Sequence, residues 1–321
     1  MKRINWIDYA KGIGIILVIL GHSIFPEVLK IWICSFHMPL FFMLSGFTFN
    51  IEKYNDFKTF IKRKFKTLII PYFIFSAVNW LWIVARNRRD LSLIFKKFLG
   101  ILVQVRNTDF GPGLWFVPCL FLSELLLYVL VKYLDKRILT IASIVLITGG
   151  IAYARFINVN LPWGIDVVPI SASFICFGYL IKNKTDKILN YKFMPIYLVA
   201  NIIFCYLNFK ILGESVGMWS SVYGNEIYYI LASVFGSLFI YSICKLISNI
   251  NFLLYIGQNS ITYYCLHVIV IGIVEKIYKV IIPNSIINNM SFIFGIVTLI
   301  ITLIAMYFAS EIYNKIKLRL N

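Results

Sequence analysis

Long apolar runs alternate with short polar segments from one end of the chain to the other. A helix rises about 1.5 Å per residue, so about 20 apolar residues are needed to cross the hydrocarbon core of a bilayer. Ten runs approach this length, at about residues 12–28, 31–49, 68–85, 114–131, 138–154, 166–181, 193–209, 226–246, 252–275 and 292–313. The pattern predicts an all-α integral membrane protein with about ten transmembrane helices. No internal repeat or long linker interrupts it, and we expect one membrane-embedded domain over residues 1–321.

Composition supports the same class. The chain is 60% hydrophobic and 14% charged, whereas soluble domains average about 45–50% apolar and about 25% charged residues. Its net charge of +17 would suit nucleic acid, but the basic residues lie between apolar runs, as membrane topology requires. We therefore expect membrane lipids and no nucleic acid as partners. The six cysteines fall in or beside apolar runs without metal-ligand spacing, so neither a metal site nor a disulfide framework is expected.

The N-terminal segment MKRINWIDYAKGIGIILVIL has the basic start and the apolar run of a signal peptide. It lacks a small-residue cleavage site, and Asp8 and Lys11 interrupt it, so an uncleaved first transmembrane helix is expected. An even number of helices puts both termini on one side of the membrane. If both are cytoplasmic, most lysines and arginines face the cytoplasm, as the positive-inside rule requires.

One basic segment does not fit this topology. Residues 86–112 would lie outside the cell. Their basic residues are Arg86, Arg88, Arg89, Lys96, Lys97 and Arg106. The stretch LSLIFKKFLGILVQV within this segment has the pattern of an amphipathic helix, and we predict that it lies in the membrane interface.

All three histidines, His22, His37 and His267, lie in apolar runs. From the predicted span limits, His22 and His37 each lie about six residues, or about 9 Å, from the same membrane surface on adjacent helices. Ionisable residues inside a membrane are costly and usually functional. The alternative is a neutral histidine bonded to a backbone carbonyl, such as the carbonyl that Pro39 leaves without a helical donor near His37.

Two groups of charged residues flank the predicted helices at the expected cytoplasmic side. Asp8 and Lys11 are three residues apart and so share one helix face. The second group precedes the third helix and consists of Lys58, Lys62, Arg63, Lys64 and Lys66. Both groups are compatible with interfacial anchoring and with a contact to an anionic ligand such as a polyphosphate.

Weaker signals mark the opposite side. Trp115, in GPGLWFVPCLF, suits an interfacial aromatic belt or a stacking wall for a sugar. Asp166, in LPWGIDVVP, suits a hydrogen bond to hydroxyl groups or a helix cap. Gly12 and Gly14 lack the preceding strand and third glycine of a dinucleotide fingerprint, and close helix packing explains them better.

Several motifs in this order resemble the acyltransferase-3 family of membrane proteins, in particular its fucose 4-O-acetylase-like branch. They are DYAKGIGIILVILGH, SFHMPLFFMLSGF, the basic run ending in IIPYF, GLWFVPCLF, LPWGIDVVPISASFICFGYLIK and IGQNSITYYCLH. Together they cover nearly the whole chain.

The resemblance implies an enzyme that moves an acyl group, usually acetyl from cytoplasmic acetyl-CoA, to a hydroxyl of an extracytoplasmic or lipid-linked sugar. It implies that His22 is the catalytic base or an acyl relay, with His37 beside it. Coenzyme A would be bound by Lys11, Asp8, Lys62, Arg63, Lys64 and Lys66. The family's Arg-x-x-Arg element is only partly kept in this last group. Trp115, Asp166 and His267 would line the acceptor side, and no metal is implied.

A transporter or flippase for a glycan or small solute is the alternative that the sequence leaves open. Two features argue against it: no inverted repeat is visible, and no matched pair of glycine- or proline-broken spans marks a midplane site. The resemblance and the Lys/Ile/Asn-rich composition favour a bacterial plasma membrane.

Overall fold

The computed structural model describes residues 4–87, 89–106 and 114–320. Arg88 and residues 107–113, which belong to the predicted basic segment and to the start of GPGLWFVPCLF, lie outside the described residues. The described helices are α1 (Asn5–His22), α2 (Glu27–Cys34), α3 (His37–Thr48), α4 (Phe57–Lys64), α5 (Ile70–Arg86), α6 (Leu91–Val103), α7 (Phe116–Tyr133), α8 (Lys136–Phe156), α9 (Val168–Ile181), α10 (Thr185–Ile188), α11 (Met194–Leu212), α12 (Glu226–Leu246), α13 (Asn251–Gln258), α14 (Ser260–Ile281), α15 (Asn284–Asn289) and α16 (Ser291–Leu320).

The prediction of an all-α membrane protein is confirmed. Among the described residues, seven helical stretches are long and apolar enough to cross a membrane. They are Glu27–Thr48, Phe57–Arg86, Phe116–Tyr133, Lys136–Phe156, Tyr191–Leu212, Glu226–Leu246 and Ser291–Arg319. Helix α9 has only 14 residues, and α1 carries polar residues at both ends. A count of ten spans and the cytoplasmic position of both termini remain predictions.

Helix α1 lies at the centre of the bundle. It packs against α3, α12, α13, α14 and α16, while α9 packs against α3, α7 and α8. Buried polar side chains also join helices, as expected where no water competes for hydrogen bonds. Asn79 on α5 donates to the Cys265 carbonyl on α14 at 3.0 Å, and the Tyr241 hydroxyl on α12 donates to the Leu40 carbonyl on α3 at 2.7 Å.

Glycines set the closest helix crossings. A Cβ added at Gly12 would lie 2.5 Å from the Leu253 carbonyl oxygen, which confirms the packing interpretation of this glycine. At the crossing of α3 and α9, a Cβ at Gly46 would lie 2.0 Å from the Ile175 oxygen, and one at Gly178 would lie 2.1 Å from the Met43 oxygen. The two backbones therefore touch only because neither glycine carries a side chain.

Gly46→Ala is expected to lower the free energy of unfolding by about 1–3 kcal/mol. The added methyl group would meet the backbone of α9, which cannot move aside as a flexible side chain can. Gly149→Ala is the matched control, since an added Cβ there meets nothing within 4 Å, and alanine is the better helix former by about 1 kcal/mol. Thermal unfolding in detergent measures both. Equal midpoints for the two variants would contradict the tight crossing.

The first predicted helix differs from the structure in its limits. Helix α1 begins at Asn5 and ends at His22 instead of covering residues 12–28. Asp8 and Lys11 therefore belong to the helix, and His22 is its last residue, not a residue near its middle. The apolar run misplaces the helix because Ile24 and Phe25 are apolar but not helical.

The second predicted helix is broken at Ser35 and Phe36, between α2 and α3. The ring of Pro39 would clash with the Ser35 carbonyl in a continuous helix. Pro39 is instead the third residue of α3, where a backbone N–H would lack a helical partner anyway. The Ser35 carbonyl that is left accepts a hydrogen bond of 2.8 Å from the Ser233 hydroxyl on α12.

The third predicted helix is longer than expected. Helix α4, a π-helical turn at Phe65–Ile69 and helix α5 form one continuous rod, so the basic group around residues 58–66 is helical. The predicted helix in the basic segment is confirmed as α6. It packs along α5 through the Tyr72 hydroxyl, which donates to the Ile101 carbonyl at 2.6 Å, and through the Trp80 indole, which donates to the Ile94 carbonyl at 3.0 Å.

Candidate active site

Helix α1 carries predicted site residues at both of its ends. Lys11 is the seventh residue of this helix and His22 is the last, so the two Cα atoms are about 16 Å apart at the helical rise. Lys11 is partly buried, and its ammonium nitrogen lies 3.8 Å from an oxygen of Asp8. This spacing confirms that Asp8 and Lys11 share one face of the helix.

Two cavities meet at Lys11. The large cavity has a volume of about 750 Å³, and the small cavity has a volume of about 200 Å³. Lys11 and Thr48 line both. The lining of the large cavity is about equally polar and apolar and includes lysines from several segments, whereas apolar side chains dominate the small cavity. Neither cavity is lined by a histidine.

A buried carboxylate lies in the wall of the small cavity. The Lys64 ammonium lies 2.8 Å from both oxygens of Glu124, and the Ser45 hydroxyl donates a short hydrogen bond to the same carboxylate. Glu124 is the one acidic residue within the apolar run of α7. The rule that intramembrane ionisable residues are functional would have identified Glu124 from the sequence.

The members of the predicted basic group do not all lie at one cavity. Of its members, Lys64 reaches a cavity, whereas Lys62, Arg63 and Lys66 are exposed and line neither. Arg63 instead lies over the ring of Tyr54, with 5.6 Å between its guanidinium carbon and the ring centroid. Helical phase explains the separation, since consecutive residues of a helix point in different directions.

His22 lies beside His267 of α14, with ring centroids 5.1 Å apart. His22 is exposed, whereas His267 is only 2% exposed. Nδ1 of His267 lies 2.6 Å from the Tyr264 carbonyl oxygen, and its Nε2 has no hydrogen-bond partner among the described residues. A carbonyl only accepts hydrogen bonds, so in the neutral ring Nδ1 carries the hydrogen and Nε2 the lone pair.

The ring of His37 is bonded to a backbone carbonyl, which is one of the two alternatives that the sequence left open. His37 is the first residue of α3, it is half-buried, and its Nδ1 lies 2.9 Å from the Ile33 carbonyl oxygen. His22 also lies within electrostatic range of His37. The ring contact that the structure gives to His22 is nevertheless with His267, which is remote in sequence.

An aromatic ring lies between the small cavity and His267. Phe116 and Tyr264 line this cavity, and their ring centroids are 5.3 Å apart. Tyr264 also contacts His267, with 5.9 Å between the ring centroids. Tyr264 therefore connects the wall of the small cavity to the histidine pair.

Asp166 does not cap a helix in this structure. Helix α9 begins at Val168 without a side-chain cap, and Asp166 instead forms a buried ion pair with Arg106. Its second oxygen accepts a hydrogen bond of 3.1 Å from the Leu161 backbone N–H. Of the two roles that the sequence left open for Asp166, the helix cap is wrong, because Arg106 and the Leu161 N–H occupy the carboxylate instead.

Arg106 joins three loops into one cluster, which we call the loop cluster. Its guanidinium is fully buried. The guanidinium donates short hydrogen bonds to the Asp166 carboxylate and the Trp219 carbonyl. It also donates to the Met218 carbonyl at 2.6 Å, the Ser221 hydroxyl at 2.8 Å and the Asn160 side chain at 3.0 Å. The sequence identified Arg106 only as a basic residue that fits the topology poorly.

Trp115 belongs to the same loop cluster. It is 5% exposed. Its ring centroid lies 5.9 Å from the Arg106 guanidinium carbon and 6.4 Å from the ring centroid of Trp219. A residue of an interfacial aromatic belt would face lipid headgroups, so that interpretation is wrong. A sugar could stack on Trp115 only after the loops had separated.

The comparisons with known proteins decide the family. A family model described as an acyltransferase domain, Acyl_transf_3, matches residues 4–311. The chain belongs to the acyltransferase-3 family. The resemblance seen in the sequence motifs is thereby confirmed, and family membership together with the apolar helices indicates a multi-pass membrane protein.

This acyltransferase-3 protein is also similar to the nodulation protein NolL of Mesorhizobium japonicum. The two are 25% identical over an alignment of 222 positions, and the alignment covers 62% of this chain and 55% of NolL. The chain thus spans about half the length of this curated relative. No solved structure matches it.

Proposed function

We propose that this protein is a membrane O-acyltransferase. It takes an acyl group from cytoplasmic acyl-CoA, with acetyl-CoA as the expected donor, and passes it to a hydroxyl of an extracytoplasmic or lipid-linked sugar. Family membership supports acyl transfer. The observation that carries the rest is the architecture of α1, which joins a lysine-lined cavity at Lys11 to a histidine pair at His22.

The donor enters at the Lys11 end of α1, which we assign to the cytoplasmic side of a bacterial plasma membrane. Coenzyme A is a polyanion joined to a long, slender thioester arm. A cavity lined by several lysines suits its phosphates, since charge-assisted contacts are the strongest hydrogen bonds. The narrower, mainly apolar cavity beyond Lys11 suits the arm.

His22 acts as the general base for the acceptor. Its neutral imidazole takes the proton of the acceptor hydroxyl as that oxygen attacks the thioester carbonyl carbon. The C–S bond then breaks, the thiolate leaves with the electron pair, and the imidazolium returns the proton to sulfur. In a second route the imidazole itself attacks, and the acyl group passes from His22 to the hydroxyl.

His267 positions His22 in both routes. With its hydrogen held by the Tyr264 carbonyl, its Nε2 lone pair faces a buried environment beside the His22 ring. That lone pair can accept the hydrogen of one His22 nitrogen, which leaves the other nitrogen of His22 ready to take a proton. His37 lies close by with its own ring bonded to a carbonyl, as a catalytic neighbour. Trp115 and Asp166 support the acceptor side by holding the loops above it.

Transfer of label from donor to acceptor tests this function. Purified protein in detergent is incubated with radiolabelled acetyl-CoA and a panel of free and lipid-linked sugars, and the products are separated by chromatography. Label in a sugar ester supports the proposal. Absence of transfer, combined with solute uptake by proteoliposomes that contain the protein, would favour the transporter alternative.

A further inference from the structure

The large cavity is lined by lysines that the sequence did not single out. Lys53 ends the 3₁₀ turn Ile51–Lys53, Lys136 is the first residue of α8, and Lys182 directly follows α9. All three line the cavity together with Lys11. They come from segments that are far apart in sequence, so the fold gathers them.

Lys182 is held in an unusual environment for a lysine. It is half-buried, its ammonium donates to the Phe49 carbonyl at 2.9 Å, and it lies 4.1 Å from the ring centroid of Tyr179. No carboxylate lies within ion-pair distance of it among the described residues. Burial lowers the pKa of Lys182; the charge of Glu52 raises it, and the charges of Lys136 and Lys53 lower it, with a net lowering. A half-buried ammonium without a carboxylate at ion-pair distance can gain a charge-assisted contact from an anionic ligand.

The charge of the cavity lining is positive. Four lysines are opposed by two carboxylates, Asp8 and Glu52, and Asp8 already pairs with Lys11. The lining also includes Asn50 and Asn183, whose side-chain amides can donate hydrogen bonds. The volume of about 750 Å³ falls in the usual range for ligand cavities, about 300–1,000 Å³.

We propose that Lys53, Lys136 and Lys182 bind the phosphate groups at the nucleotide end of the acyl donor. This inference rests on the proposed function, since it names the residues that recognise the donor. The thioester arm then passes between Lys11 and Thr48 into the small cavity. Lys62, Arg63 and Lys66 have no part in this site, because they lie outside both cavities.

The test compares Lys136→Gln/Lys182→Gln with a matched control, Arg137→Gln/Lys184→Gln. The control removes the same charge from the same two segments, and both of its residues are exposed and line neither cavity. Affinities for coenzyme A, dephospho-coenzyme A and pantetheine are measured by calorimetry. One lost charge-assisted contact costs about 1.5–3 kcal/mol, and each 1.4 kcal/mol is about tenfold in affinity.

The first double variant is expected to bind coenzyme A about 100-fold more weakly, with less loss for dephospho-coenzyme A and none for pantetheine. The control is expected to stay within about threefold of wild type. Lys136→Arg keeps the charge and is expected to keep the affinity. A thermal unfolding midpoint equal to that of wild type shows that a variant is folded.

Equal affinities in the double variant and the control would overturn the inference, as would a loss of binding that follows Lys62→Gln/Arg63→Gln instead. If wild-type protein transfers acyl groups and the double variant keeps the wild-type KM for the donor, the inference about the three lysines is overturned. The proposed function then remains intact. If wild type shows no transfer, adenosine 3′,5′-bisphosphate is the second probe. Its binding, lost in the double variant, would support the phosphate site while the proposed function fails.

Discussion

His22→Ala is expected to lower the rate of acyl transfer by about 10²–10⁴-fold, because the acceptor hydroxyl loses its general base. If the imidazole is instead an acyl relay, the loss is at least as large, since the intermediate cannot form. His22 is the exposed last residue of α1, so its truncation removes little packing and the protein should remain folded.

Donor affinity provides the internal control. Lys11 lies about 16 Å from His22 along the helix, and His22 lines neither cavity, so the variant should bind coenzyme A as tightly as wild type while kcat falls. His37→Gln is expected to show a smaller loss, because the ring of His37 is already bonded to the Ile33 carbonyl. A folded His22→Ala protein with a kcat within a few-fold of wild type would remove His22 from the chemistry.

Asp166→Ala is expected to destabilise the protein by about 3–5 kcal/mol, because it leaves the Arg106 guanidinium buried without its counter-charge. Arg106→Ala should cost a similar amount, and it also leaves the Asn160 and Ser221 side chains without their donor. A shift of the thermal unfolding midpoint in detergent measures both effects.

An exposed ion pair at the ends of α8 and α12 supplies the control. Arg155 is 67% exposed and lies 3.0 Å from Glu226, and such pairs contribute about 0–1 kcal/mol. Arg155→Ala should therefore leave the unfolding midpoint nearly unchanged. If Asp166→Ala kept wild-type stability but raised KM for the acceptor alone, Asp166 would bind the acceptor directly, as the sequence suggested.

The residue behind the first of these predictions can be identified from the sequence, whereas the ion pair behind the second cannot. His22 stands out in an apolar run, and the family motif marks the same residue. The pair of Arg106 and Asp166 does not stand out, because the two residues are 60 positions apart and each has an ordinary role by itself. Pairing of this kind depends on how loops pack over the ends of helices, which no local pattern records.

The basic group before the third predicted helix shows what a local sequence pattern cannot predict. Its charge is evident from the sequence, and so is its position beside a membrane helix. Which member reaches a cavity depends on helical phase through the π turn at Phe65–Ile69. That member is Lys64, and its position also depends on α7, which places Glu124 opposite it.

The sequence by itself determined the class, the family and the most prominent intramembrane residues of this protein. Hydropathy and helical period are properties of neighbouring residues, so apolar runs suffice to predict a helical membrane protein, and ordered motifs suffice to identify the family. Tertiary structure alone decided that His22 meets His267, that Lys53, Lys136 and Lys182 share one cavity, and that Arg106 neutralises Asp166. Each of these contacts joins residues from different helices or loops, and the packing of the whole bundle sets their distances.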